Sequence, residues 1–221
     1  MASQVQTAPI PAARKPVSSW IRVGFWISIL ISVAVVLRRV IAFIHSSQSG
    51  PPQMVELDAA FRSHELLTLF HIIPALFFVV ATPFVLLSKD GTHDFLERSM
   101  YPLGAIVGTT AYAMSVYAVG GWVERSAVLV FNSLFLYHLL RAFSFRRAND
   151  HLRKHVALLR SVAILLGIAT TRPVMGVFFA TSRLTHLAPQ QFFGYAFWIG
   201  FSINTIAVEL WLRARYQRAL S

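Results

Sequence analysis

Six stretches of this chain, roughly 20–43, 65–87, 100–120, 126–145, 155–180 and 191–212, are each about twenty residues long and almost wholly apolar. A helix of that length spans the hydrocarbon core of a bilayer, and so many such runs have no place on a soluble surface. The runs are continuous, not alternating, and the chain is too short to supply the strands of a barrel, so helix is the structure left. The fold class expected is all-α: a polytopic transmembrane helix bundle of about six spans. Its 221 residues are 56% hydrophobic and only 13% charged, a balance suited to lipid as solvent.

The net charge of +11 would suit nucleic acid, but a nucleic-acid reader gathers its basic residues into a stripe on a folded surface. Here they punctuate the apolar runs, as membrane flanks do. The expected partner is the lipid bilayer and not nucleic acid. With no cysteine in the chain, disulfides, thiolate nucleophiles, cysteine-ligated zinc and iron–sulfur clusters are excluded. Any metal or haem would fall to histidine, methionine, tyrosine or carboxylate.

Residues 1–19, rich in Ala, Pro, Ser and Gln, read as a disordered cytoplasmic tail, 20–215 as a single transmembrane helical domain, and 216–221 as a basic C-terminal tail. The first apolar run is too long for the core of a signal peptide and is expected to be kept as a helix. Basic residues accumulate on the cytoplasmic side. Arg14 and Lys15, Lys89 and Arg98, the cluster Arg141, Arg146, Arg147, Arg153 and Lys154, and Arg213, Arg215 and Arg218 all fall on one side if both termini are cytoplasmic. The opposite side keeps Arg62, Arg125 and Arg183 with Glu56, Asp58, Glu65 and Glu124. Arg38 and Arg39 sit badly in this scheme, near the outer end of the first span. Either they snorkel to the headgroups or the span ends at Leu37. The expected location is integral to the plasma (inner) membrane.

Depth follows from about 1.5 Å of rise per residue: Arg172 lies about 12 Å, and His71 about 9 Å, below the outer ends of their spans. Tyr112 and Tyr117 fall in the same layer. A second layer, toward the cytoplasm, gathers Arg160, Glu209, His138 and His155, with Asn204 nearer the middle. An arginine at such depth must face protein or a hydrated cavity and find acceptors. Pro173 should free the carbonyl of Ala169 and kink the helix. Two readings of Arg172 follow. It holds an anionic or carbonyl-bearing ligand in an outer cavity with His71 and Tyr112, or it staples the kinked helix to neighbouring carbonyls and to Glu65 or Glu124.

Glu209 and Arg160 stand at similar depth on consecutive spans, as an ion pair or a proton relay, with Asn204 close by. Haem b held between histidines of facing helices is a further reading, for which His138 and His155 are the candidates, and His64 and His71 share one helical face. His151 and His155 also have the i, i+4 spacing of a metal chelate.

The second half resembles a known family. "LLRSVAILLGIATTRP" keeps an arginine–serine start and a threonine-rich arginine twelve residues later, and "FWIGFSINTIAVELWLRAR" closes the last span with an asparagine and a glutamate five apart. With "HIIPALFFV" and "HDFLERSMY", these are similar to the predicted integral membrane proteins catalogued as domain of unknown function 2306, over about residues 65–215. Asp94, Glu97 and Ala157 depart from the family pattern, and Lys154 stands where it has a histidine. The resemblance implies a multi-pass membrane fold and gives weight to His71, Arg160, Arg172, Asn204 and Glu209 as a set. It implies no established activity.

Three functions fit. The bundle binds a small molecule or cofactor, such as a lipid, a quinone or haem, at a polar site within it. Alternatively it is an intramembrane enzyme using Glu209 or a histidine as acid or base. The third reading is a transporter or a membrane assembly factor. The lack of an inverted repeat, and a single span broken by an interior proline, count against secondary transport.

Overall fold

The computed structural model describes residues 19–44, 59, 61–87, 93–186 and 188–220, and the expected N-terminal tail lies outside them. The described residues form seven long helices: α1 (Ser19–Ile44), α2 (Glu65–Leu87), α3 (Asp94–Ser115), α4 (Gly121–Arg147), α5 (His151–Leu165), α6 (Gly167–Thr185) and α7 (Pro189–Leu220). Consecutive helices pair as α2 with α3, α4 with α5, and α6 with α7; α4 also packs on α3 and α7, and α1 rests on α2 and α6.

α1, α2, α4, the α5–α6 stretch His151–Thr181 and α7 are long and apolar enough to cross a membrane. The remaining expected span, 100–120, is α3. It is less apolar, opens on Asp94, Glu97 and Arg98, and ends at Ser115. It packs between α2 and α4. The chain is thus an all-helical, multi-pass integral membrane protein. Large apolar side chains on outward faces, such as Leu30, Phe70, Leu140 and Leu210, meet lipid, while Phe78, Met100, Phe135 and Leu158 fill the interior.

Without a hydrophobic force between helices in lipid, close backbone approach and interhelical hydrogen bonds hold the bundle. Gly104 and Gly108, four apart on α3, face α4: a Cβ on Gly104 would lie 2.5 Å from Leu139 Cδ2, and one on Gly108 2.5 Å from Leu136 Cδ2. On α7, a Cβ on Gly200 would lie 2.7 Å from the backbone nitrogen of Thr171 on α6. Asn132 Nδ2 donates to the Gly108 carbonyl at 2.9 Å, Ser161 Oγ to the Phe135 carbonyl at 3.2 Å, and Trp198 Nε1 to Ser126 Oγ at 3.2 Å.

The fifth expected span is interrupted, but not where Pro173 led us to expect. The break falls at Leu166, one turn and more before the proline, which sits inside α6. The Ala169 amide bonds to the Leu166 carbonyl, three residues back, so the turn tightens just ahead of the site where the Pro173 ring crowds the Ala169 carbonyl. The break leaves carbonyls at the end of α5 without an intrahelical donor. Asn204 serves one of them: its Nδ2 donates to the Ala163 carbonyl at 3.1 Å while its Oδ1 accepts from Thr170 Oγ1 at 2.7 Å.

At the end of the bundle where α4 leads into α5, the first turn of α3 meets both of them. Arg146 pairs with Asp94 and with Glu97, the latter at 2.9 Å, and Lys154 Nζ reaches the other Glu97 oxygen at 2.8 Å. The hydrogen bond from the Arg146 guanidinium holds the Asp94 carboxyl below its ordinary pKa. The intervening turn is shaped by Asn149 in the left-handed region, φ 55°, and by Asp150, whose side chain caps α5 at the Arg153 amide, 3.0 Å away. The expected C-terminal tail begins as helix, since α7 continues through Leu220.

Candidate functional site

Each helix around the bundle axis turns one stripe inward. On α1 it is Ser32, Val35, Val36 and Arg39; on α2 it runs from Thr68 through His71, Ile72 and Ala75 to Val79; on α4 it is Glu124, Val128, Phe131, Asn132 and Phe135. These spacings of three, four and seven keep one face of a helix aligned. Between them, with residues of α3, the α5–α6 junction and α7, lies a cavity of about 250 Å³. Its wall is mostly apolar, with Arg39, Glu124, His71, Tyr117 and Arg172 toward one end and the side chains of Ser32 and Asn132 further along.

His71 is held from α3: its Nδ1 lies 2.9 Å from Thr110 Oγ1. The Thr110 hydroxyl has carbonyls for its own proton at 2.7 Å (Ile106) and 3.0 Å (Val107), so the imidazole is the donor and Nδ1 carries the hydrogen. A neutral ring then keeps its lone pair on Nε2.

Arg172 is less well served. Its Nη1 touches Met175 Sδ at 3.7 Å, and its Nε is buried with no hydrogen-bond partner among the described residues. Glu124 stands on the same cavity but makes no direct ion pair with it; one carboxylate oxygen accepts from the Gly120 amide at 2.6 Å. Glu65, the other expected staple, is exposed. The carbonyl staple expected for this arginine is therefore not what the structure contains.

Arg39 also departs from expectation. α1 does not end at Leu37 but continues to Ile44, and Arg39 lines the cavity with its Cζ 4.1 Å above the Phe61 ring. A narrow annex shares Phe61, Thr68, Met114, Tyr117 and Val119 with the cavity and adds His64, whose ring stacks on Tyr117 at a centroid distance of 3.7 Å.

Tyr112 does not join the site. It lies off the cavity wall, its hydroxyl 2.7 Å from Ser133 Oγ, because α3 turns that face to the outer part of α4. In the second layer Arg160 and Glu209 do meet, Nε to Oε2 at 2.8 Å and Nη2 to Oε1 at 3.2 Å, and Arg213 adds a contact to Oε1 at 3.1 Å. Both carboxylate oxygens are thus engaged by guanidinium groups. Asn204 is not part of this pair but holds the α5–α6 break. His138 packs its ring on Tyr137, and neither His138 nor His155 lines the cavity, so the cavity does not bring facing histidines together. Among the described residues no three His, Asp or Glu side chains form a group that could hold a metal ion.

Sequence reasoning placed His71 and Arg172 in one cavity and missed Arg39 and Asn132 as wall residues and Glu124 as more than a staple. The signal for Arg39 was present, since a charge inside an apolar run asks for a protein partner. No family model, no curated protein and no solved structure matches the chain.

Proposed function

We propose that this membrane protein binds a small, mostly apolar molecule with an anionic or carbonyl-bearing head in its central cavity, with Arg172 and His71 at the polar end. The observation that supports this most is Arg172, a cationic residue on the cavity wall whose buried Nε has no hydrogen-bond acceptor among the described residues. Leaving such a donor unmatched costs free energy that a ligand oxygen would restore. His71, its Nδ1 engaged by Thr110 of α3, stands on the same wall and completes the polar end. We place the basic end, with both termini, in the cytoplasm, and the cavity's polar end toward the outer face of the plasma membrane.

The test is native mass spectrometry of the protein released from its membrane. A bound small molecule that leaves the parent chain in one mass state and is lost in Arg172→Gln and His71→Ala, both still folded by circular dichroism, is the expected result. Parent and variants each at the mass of the bare chain, and no ligand acquired from a membrane extract, would refute it.

A further inference from the structure

We infer that the ligand is a single-chain amphiphile with an oxyanion head, a carboxylate or a phosphate, taken from the lipid phase past α1. This rests on the cavity being the binding site proposed above. The shape of the cavity restricts the tail. Its wall runs from Thr68 to Val79 on α2 and from Glu124 to Phe135 on α4, in each case about 17 Å along the axis at 1.5 Å per residue. An apolar cavity of about 150 Å³ holds one benzene ring, so 250 Å³ drawn out over that length suits one short hydrocarbon chain and not a macrocycle or a two-chain lipid. Beyond the polar end the wall is mostly apolar, with Leu76, Val79, Val107, Phe135 and Ile164; the Ser32 hydroxyl, buried without a hydrogen-bond partner among the described residues, is the exception.

The head is restricted by the donors. The guanidinium of Arg172 presents a buried, unpartnered Nε, and Arg39 places a second guanidinium on the same wall. A planar fork of N–H donors in low dielectric favours a carboxylate or phosphate over a hydroxyl or an amine. Glu124 opposes this attraction from the same wall, so it limits affinity and would repel a ligand of higher negative charge.

The route is suggested by α1. It supplies Ser32, Val35, Val36 and Arg39 to the wall, yet only 11% of its apolar stretch is buried against 17% or more in the other spans. It is the wall most easily displaced, and what lies behind it is lipid.

The experiment uses the full chain in phosphatidylcholine nanodiscs with radiolabelled dodecanoate as probe, followed by scintillation proximity. Saturable binding is expected, displaced by unlabelled dodecanoate or dodecyl phosphate and not by dodecanol or dodecyltrimethylammonium; the stronger of the two anions identifies the head. Arg172→Gln should weaken the probe about tenfold or more. Ala75→Trp, which fills the bore, should abolish binding. Glu124→Gln should tighten it, a change that a misfolded variant cannot produce. Equal displacement by dodecanol and by the cation would overturn the oxyanion head while leaving a cavity ligand in place. Binding unaffected by Ala75→Trp would overturn the single-chain tail, and no saturable binding of any of these amphiphiles would overturn the inference whatever the mass spectrum shows.

Discussion

At the scale of single residues, the bundle treats its charges in two ways. Arg160 and Glu209 are matched, with side chains 28% and 32% exposed, so their pair lies between a surface bridge and a buried one. Glu209→Ala should cost about 1–3 kcal/mol in unfolding by denaturing detergent, and the swap Arg160→Glu with Glu209→Arg should recover part of it. Asp94 offers a test by pH. Its carboxyl is depressed by Arg146, so its contribution is complete above the ordinary carboxylate range and is lost as the pH falls through the lowered value. Thermal stability should therefore be insensitive to this group near neutrality and fall in acid, less steeply in Asp94→Asn. The pairing of Arg160 with Glu209 was legible because they are lone opposite charges at equal depth. For Arg39 the need for a protein partner was legible but its place on the cavity was not, because depth along a helix says nothing of which way the side chain turns.

At the scale of elements, small residues set how closely helices approach. Gly200 lies against the Thr171 backbone, so Gly200→Ala should force α6 and α7 apart and destabilise by about 1–3 kcal/mol, whereas Gly176→Ala, with open space around it, should be close to neutral. Thermal unfolding of the two variants in the same detergent decides it. Gly104 and Gly108 have the four-residue spacing that identifies a helix-packing face, a signal present in the sequence and not used. The α5–α6 break shows the opposite case. Proline marks where a helix loses a donor, but the interruption appears about two turns earlier, where Asn204 of α7 takes a carbonyl left free at the break. That partner belongs to another helix, and local sequence cannot name it.

At the scale of the whole molecule, spans were legible because bilayer thickness is a physical ruler, and the inward stripes were not, because a helix apolar all round hides which face is lined by neighbours. The ion-pair group of Asp94, Glu97, Arg146 and Lys154 brings three helix ends to one end of the bundle. The absence of cysteine makes orientation simple to test. Arg98→Cys and Arg153→Cys should react with an impermeant maleimide from the same side of the membrane, and Trp122→Cys from the other. Labelling of Arg98→Cys and Trp122→Cys from one side would refute the arrangement.

The loose seating of α1 separates two quantities that are often measured together. If an occupant must wait for this helix to lean aside, affinity belongs to the arginines but tempo belongs to the bilayer. Stiffer or thicker lipid should lengthen the residence time with little change in the equilibrium constant, and a covalent tie between α1 and α6 should nearly stop exchange while an occupant already inside stays bound. The protein would then act less as a reservoir filled from solution than as a slow clock wound by the membrane around it.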